Sequence, residues 1–378
     1  MRLRDIPSDL RDTALRLLPH RAPTGLVRIG NPGPDSPVLL TGNFTLTVRR
    51  LRRALESIDA WLLVADSRGV NVWCAAGGGH LTHHDVISVL RTSGIDTLVS
   101  RRVLILPQLA ATGVERRPIE EATGWTTKWG PARLEDLPAV LARGGGVHGR
   151  ERYMRFPLWE RLEMAVMWAL PMILIGAPAF GLVGGWRVAA AVAVLISVTV
   201  PLVFAALPLL RVTGGARWLT YGAAAVVGAA IGDGMLSLLS EATLFRLSLV
   251  AIGAGLSMVV LSIDLAGTTP LYPSSINAAV AGVPDITLDS DRCTGAADCV
   301  KVCPCAVLRL SGKPPRASIV AGDACIACAA CIVQCPQDAL FFTYPDGKVV
   351  QPATIRRTRL NLLGKRSIET TKSTNSQF

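Results

Sequence analysis

Between residues 162 and 266 the sequence carries long, nearly uncharged stretches of Ala, Val, Leu and Gly. A soluble core interleaves polar residues at helical or strand spacing. Runs of about 20 apolar residues match instead the thickness of a bilayer's hydrocarbon. The pattern predicts four membrane spans, near 162–183, 187–209, 218–239 and 244–266. The first holds Pro171 and Pro178 and reads as one kinked helix or two shorter ones. Arg150, Arg152, Arg155 and Arg161 precede it, and Arg211 and Arg217 sit between the second and third. Positive loops stay inside, and four spans return the chain to its starting side. The expectation is a multi-pass inner-membrane protein with cytoplasmic N- and C-terminal domains and the lipid bilayer as a partner. The net charge of +11 then belongs to loops, and no nucleic acid is expected. Asp233, inside the third span, either serves a function or caps a helix break at Gly232–Gly234.

Eight of the nine cysteines fall between Cys293 and Cys335. The N-terminus has no apolar core of signal-peptide length, so a cytoplasmic setting is expected, where clustered thiols are metal ligands rather than disulfides. Residues 284–345 repeat internally: DRCTGAADCVKVCPCAVL stands 32 residues before DACIACAACIVQCPQDAL. The second copy is C-x2-C-x2-C-x3-C-P, a bacterial iron–sulfur spacing in which each copy's fourth cysteine serves the other cluster. The segment resembles two-cluster ferredoxins and is expected to fold as an α+β ferredoxin domain that moves single electrons. That resemblance implies one 4Fe-4S cluster on Cys325, Cys328, Cys331 and Cys303. It gives the other only Cys293, Cys299 and Cys335, with Ala296 at the vacant place. Three thiolates hold a 3Fe-4S cluster, or a 4Fe-4S cluster with one labile iron, unless Cys305 or Asp298 supplies a fourth donor. Cys305 is otherwise a small buried residue.

Residues 1–150 alternate strand-like and helix-like segments, which predicts an α/β domain with a parallel sheet. SPVLLTGN, AWLLVAD, TLVS and RVLILPQL read as strands; TLTVRRLRRALESI and HHDVISVLRTSG read as helices, the latter closed by Gly94. ARGGGVHGR at 142–150 reads as a linker, and 355–378 as a disordered polar tail. The remaining cysteine, Cys74, sits in GVNVWCAAGGGH. From the residues alone it is a core cysteine or a catalytic thiol. His80, His83 and His84 are bases, metal ligands or solvated side chains.

The stretch NVWCAAG (Asn71–Gly77) resembles the cap-helix motif of the corrinoid protein of microbial mercury methylation. The likeness continues through SPVLLTGNFTL, IDAWLLVAD, SRRVLILPQL and GPARLEDLPA, over residues 36 to about 140. It implies a multidomain chain: an α/β corrinoid-binding domain, a transmembrane bundle, and that family's ferredoxin partner fused behind. It makes Cys74 the catalytic residue, as the lower axial ligand of cobalt in a cobamide. Asn71, Val72 and Trp73 would hold the cap against the corrin, and Ala75, Ala76 and Gly77 would let the ring approach. A thiolate pushes electron density across the metal, so that a methyl group leaves with its bonding pair for Hg(II) or another soft acceptor. The ferredoxin would re-reduce cobalt, and a donor protein or methyl-folate system would supply the methyl. Gly78 stands where the family has Lys, and the tail lacks the partner's cysteine pair. The alternatives are a corrinoid methyltransferase for another acceptor and a non-catalytic membrane electron carrier.

Overall fold

The computed structural model describes residues 11–13, 18–210, 217–264, 283–360 and 366–368. The chain forms two compact units: residues 1–18 with 155–268, and residues 19–154 with 269–378. The segments expected as the first and last domains thus share one unit, which contains an α/β lobe and a cysteine lobe.

The α/β lobe runs β1 (Gly25–Ile29), β2 (Val38–Gly42), α1 (Thr45–Ala54), β3 (Ala60–Ala65), α2 (Val72–Gly77), α3 (His83–Thr92), β4 (Val103–Leu106), a 3-10 turn (Gln108–Thr112), α4 (Arg116–Thr123), β5 (Thr126–Trp129) and α5 (Leu137–Ala142). The sheet order is β1-β3-β2-β4-β5. β2 and β3 are buried throughout, because helices cover both faces, and this is why VLLTG and AWLLVA are almost wholly apolar. Alternate residues feed two cores. Leu40, Leu63 and Leu104 face α2 and α3, while Leu39, Leu62 and Val64 face α1 and α5. β3, β2, β4 and β5 are parallel, as expected. Two corrections apply. β1 pairs antiparallel with β3 at the edge, and TLVS is not a strand, since a 3-10 turn at Ile95–Thr97 runs into a bend there. α3 stops as expected at Gly94, whose φ of +70° suits a residue without Cβ.

The helical unit holds α6 (Leu158–Gly184), α7 (Trp186–Ala206), α8 (Arg217–Leu238) and α9 (Leu244–Asp264). All four are long and apolar enough to cross a membrane by length and composition. α6 is a single 27-residue helix despite Pro171 and Pro178, about 40 Å long at the usual rise. α8 runs unbroken through Gly232–Gly234, which corrects the reading of Asp233 as a helix-break cap. Outward residues stay apolar, with Leu182 90% and Ile175 73% exposed. Charge gathers at the ends: Glu241 pairs with Arg187 and Arg246, and Arg161 donates to the Ala205 carbonyl.

The cysteine lobe contains β6 (Asp285–Leu288), α10 (Asp298–Val302), β7 (Leu308–Ser311), β8 (Arg316–Ile319), α11 (Ala330–Val333), β9 (Leu340–Thr343), β10 (Val349–Val350), α12 (Pro352–Arg356), β11 (Thr358–Leu360) and β12 (Arg366–Ile368). β9 pairs antiparallel with β6 and β10, and β7 with β8. The expected disordered tail is corrected in part: α12 packs against the lobe through buried Ile355, and β11 pairs with β12. Residues 361–365 and 369–378 lie outside the described residues.

The two lobes join through the segment after β4. Gly113 lies so close to α2 that an added Cβ would stand 2.0 Å from the Ala76 carbonyl oxygen. Its φ of −149° is ordinary, so the constraint is space alone. Gly113→Ala is therefore expected to lower the stability of this unit by about 1–3 kcal/mol. Denaturant unfolding, with amide exchange in α2 as the local probe, measures the effect.

Candidate functional site

The parallel strands end at one edge, and loops leaving that edge build the site around Cys74. In this sheet β2 lies between β3 and β4, so connections diverge to either side of it, and ligands of open α/β sheets bind where this happens. The loop from β3 is organised by Asn43, just past β2. Its buried Oδ1 accepts from the Ser67 amide (2.9 Å), the Gly69 amide (2.9 Å) and the Ser67 hydroxyl (3.1 Å), while its Nδ2 donates to Asp66 (3.1 Å). Gly42 is needed beside it, because a Cβ there would meet the Ser67 Oγ at 2.5 Å.

This loop delivers Asn71 as the N-cap of α2, and the Asn71 side chain accepts from the Cys74 amide at 3.0 Å. Cys74 is half-buried in the first turn, and Asn71 is the only other half-buried residue of the motif. Val72, Trp73, Ala75, Ala76 and Gly77 are buried. Val72, Ala75 and Ala76 belong to the sheet's core, and Ala76 packs on Gly113. Ala75, Ala76 and Gly77, expected to let a ring approach, are buried. Asn71 and Cys74 form the motif's accessible face.

The histidines stand apart in role. The rings of His83 and His84 are 4.2 Å apart, and His83 Nδ1 is 3.5 Å from Glu115. Burial, then His84, lowers the His83 pKa, with Asp85 opposing. Burial raises the Glu115 pKa against the pull of Arg356. Arg356 also bonds Asp338 (2.7 Å) and the Cys335 carbonyl (3.2 Å), linking α4 to the cysteine lobe.

In the cysteine lobe the sequence repeat is a structural repeat. Gly295 and Ala327, Ala297 and Ala329, and Ala306 and Asp338 all have positive φ, and each pair is offset by 32 residues. Five of these six are not glycine, so each pays a steric penalty of about 1 kcal/mol, the kind of strain that collects at ligand sites. The backbone bonds repeat too: Val307 N–H donates to Cys303 Sγ (3.4 Å) and Ala339 N–H to Cys335 Sγ (3.3 Å).

The turns line two hollows. One is lined by Cys325, Cys328, Cys331 and Cys303, and also by Cys305. The other is lined by Cys293, Cys299 and Cys335, with Ala296 and Asp298. The fourth cysteine of each copy therefore does stand with the opposite set. Cys305 lies at the four-cysteine hollow, which corrects its place as a donor beside Ala296. Asp298 lines the three-cysteine hollow, but its Oδ1 is held by Arg116 (3.1 Å) and Lys301 (3.5 Å). Among the described residues no group of three or more His, Cys, Asp or Glu converges as ligands of a single metal ion do. The thiols stand on the walls of the hollows instead. Burial raises the pKa of Cys325, Cys328 and Cys331, and pushes Cys299 and Cys305 up to about 12.

Sequence reasoning missed the groups that join the lobes. Gln334, beside Cys335, is buried and donates to the Ala111 (2.9 Å) and Val114 (2.8 Å) carbonyls. Gln108 donates to the carbonyls of Arg152 (2.7 Å) and Val302 (3.3 Å). Val302, Cys328 and Ala330 sit in the same hydrophobic core as Ala76, Ala110 and Ala111. A glutamine at the residue before the C-P of the second copy, where the first copy has Val302, was the available signal.

Gln334→Leu strands both buried carbonyls, so it is expected to cost about 2–4 kcal/mol, seen as early unfolding in denaturant and faster amide exchange in both lobes. For His83 the folded pKa lies below the unfolded value of about 6.5. Its contribution is full above that value and is lost as pH falls below it. The unfolding midpoint is expected to drop between about pH 7.5 and 5.5, and His83→Gln should flatten that part of the profile.

Comparison with known proteins bears on the α/β lobe. The family described as CO dehydrogenase/acetyl-CoA synthase delta subunit matches residues 16–141. The acetyl-CoA decarbonylase/synthase complex subunit gamma of Methanopyrus kandleri is 40% identical over 129 residues, 34% of this chain and 28% of that protein. Its counterpart from Methanocaldococcus jannaschii is 40% identical over 110 residues, covering 29% and 22%. That from Archaeoglobus fulgidus is 37% identical over 115 residues, covering 30% and 24%. The chain spans roughly a quarter of the length of these relatives. The resemblance to the mercury-methylation corrinoid protein is thereby corrected: the segment that suggested it is similar to the acetyl-CoA decarbonylase/synthase subunits.

Proposed function

We propose that the chain is a corrinoid-dependent methyl-transfer protein that carries its own iron–sulfur electron supply and is anchored in a lipid bilayer by α6 to α9. When bound, a corrinoid supplies a cobalt that accepts and releases a methyl group, and iron–sulfur clusters supply single electrons. The observation that carries the reading is Cys74: a lone, half-buried thiol at the carboxyl edge of the parallel strands, in the segment shared with the acetyl-CoA decarbonylase/synthase subunits.

The residues present fit these groups. Cys74 offers a soft donor at the first turn of α2, where Asn71 fixes the backbone of the same turn. Beneath it, the packing of Ala75, Ala76 and Gly113 holds the turn rigid. Cys303, Cys325, Cys328 and Cys331 would hold a 4Fe-4S cluster, and Cys293, Cys299 and Cys335 a 3Fe-4S cluster or a 4Fe-4S cluster with one exchangeable iron. Thiols this buried stay protonated on their own; a cluster's positive irons displace the protons, and N–H donors at Cys293, Cys303 and Cys335 offset the sulfur charge. The four apolar helices would return both soluble lobes to one face of the membrane, the cytoplasmic one by the arginines before α6.

The test is anaerobic purification of the full chain in detergent, followed by iron and cobalt analysis and a visible spectrum with added cobamide. Wild type is expected to bind cobamide with a thiolate-ligated spectrum, and Cys74→Ala to lose that spectrum while keeping its iron. Identical cobamide spectra from both proteins would refute the role of Cys74. Iron without any cobamide binding would leave a membrane electron carrier.

A further inference from the structure

The two hollows of the cysteine lobe have different surroundings. Cys328, at the four-cysteine hollow, is part of the hydrophobic core shared with the α/β lobe. The three-cysteine hollow has Thr294 and Ala296 on its lining, and both are exposed to solvent. The three-cysteine hollow therefore opens to solvent at Ala296, and the four-cysteine hollow meets, through Cys328, the core that also holds Ala75 and Ala76.

The mouth of the three-cysteine hollow is ringed by cations. Leu310 of β7 and Ala317 of β8 line the hollow, and the carbonyl of Pro315 lies 2.2 Å from where a Gly295 Cβ would be. The hairpin tip thus reaches the hollow's mouth, bringing Lys313 and Arg316. Arg316 bonds the Ser290 carbonyl, close to Arg292, which precedes Cys293. Lys301 follows Cys299 by two residues. Arg292 and Lys313 are exposed, with no carboxylate partner among the described residues. The acids nearby are engaged: Asp298 is shared by Arg116 and Lys301, and Asp289 accepts the Asp291 and Arg292 amides. Asp291 is the remaining carboxylate. Side chains alternate along a strand, so Arg309, next to Leu310, lies on the hairpin's other face.

On the reading that these hollows hold iron–sulfur clusters, we propose that the basic mouth at Ala296 is the docking surface for a negatively charged one-electron carrier protein. With clusters bound, the carrier would give up one electron and the group held by Cys293, Cys299 and Cys335 would take it up; no bond forms between the partners. The set of Cys303, Cys325, Cys328 and Cys331, which meets the shared core through Cys328, would pass the electron on. Opposed charge steers encounter and orients the carrier, and the bare methyl of Ala296 lets it approach closely.

The experiment uses the full chain in detergent, with an acidic bacterial two-cluster ferredoxin as the probe. Titration calorimetry gives the dissociation constant, and stopped-flow absorbance gives the rate of reduction. Both are expected to weaken about tenfold between roughly 20 and 300 mM salt. The Arg292→Glu/Lys313→Glu double variant is expected to weaken both about tenfold at low salt, while Arg309→Glu leaves them unchanged. Reduction by dithionite separates the two levels of inference. Absence of any dithionite-reducible iron overturns the cluster reading and this proposal together. Normal dithionite reduction, with carrier binding and rate indifferent to the double variant, overturns the docking surface alone. Loss of binding to phosphatidylglycerol vesicles in the double variant, with the carrier's rate unchanged, assigns the cations to lipid and also overturns it.

Discussion

The architecture of the unit that holds the α/β and cysteine lobes depends on a contact between backbones. Segment 108–114 leaves the carboxyl end of β4 and passes between α2 and the helices of the cysteine lobe. On one side the Ala76 carbonyl occupies the space a side chain at Gly113 would need. On the other, the Gln334 amide caps the Ala111 and Val114 carbonyls. Buried carbonyls without donors are costly, so a single glutamine fixes the spacing of the lobes more firmly than surface ion pairs can. Arg116–Asp298 and Arg356–Glu115 then decorate the rim of a join whose centre is apolar.

The cysteine lobe shows what such rigidity is for. Its loops hold five non-glycine residues at positive φ, and they recur at matching places in both copies. A chain that merely had to fold would avoid that strain. A chain that must turn its amides toward a central group accepts it, as anion-binding loops do. The alanines of the repeat carry the smallest side chain that still bears a Cβ, and Ala296, Ala297 and Ala329 line the hollows.

Much of this was legible in the sequence, for identifiable reasons. The four apolar helices were visible because composition alone defines them. The interleaved thiol sets were visible because the repeat resembles two-cluster ferredoxins, and that resemblance implies the crossed fourth cysteine. β2, β3 and β4 announced themselves as unbroken apolar runs. What stayed hidden depended on tertiary contact. TLVS has strand-forming residues, but Gly94 and the 3-10 turn at Ile95–Thr97 place it in a connection between α3 and β4. The smallness of Ala76 admits Gly113, an inward neighbour that no local pattern reveals. The place of Cys305 depended on a turn of the Cys-Pro-Cys backbone, and that of Gln334 on a partner more than 200 residues away. The motif around Cys74 builds a helix turn, and a turn does not specify a methyl acceptor, which is why similarity pointed elsewhere than the motif first suggested.

The crossed allegiance of the cysteines has an evolutionary corollary. Because each half lends one thiol to its sibling's chamber, neither half is an independent heritable module. The two kinds of position differ: alanine at 296 leaves a tripod in its own chamber, whereas a change at Cys303 or Cys335 would injure the distant one. A duplicated gene segment laced together in this way can drift in its private positions, but it cannot be divided again.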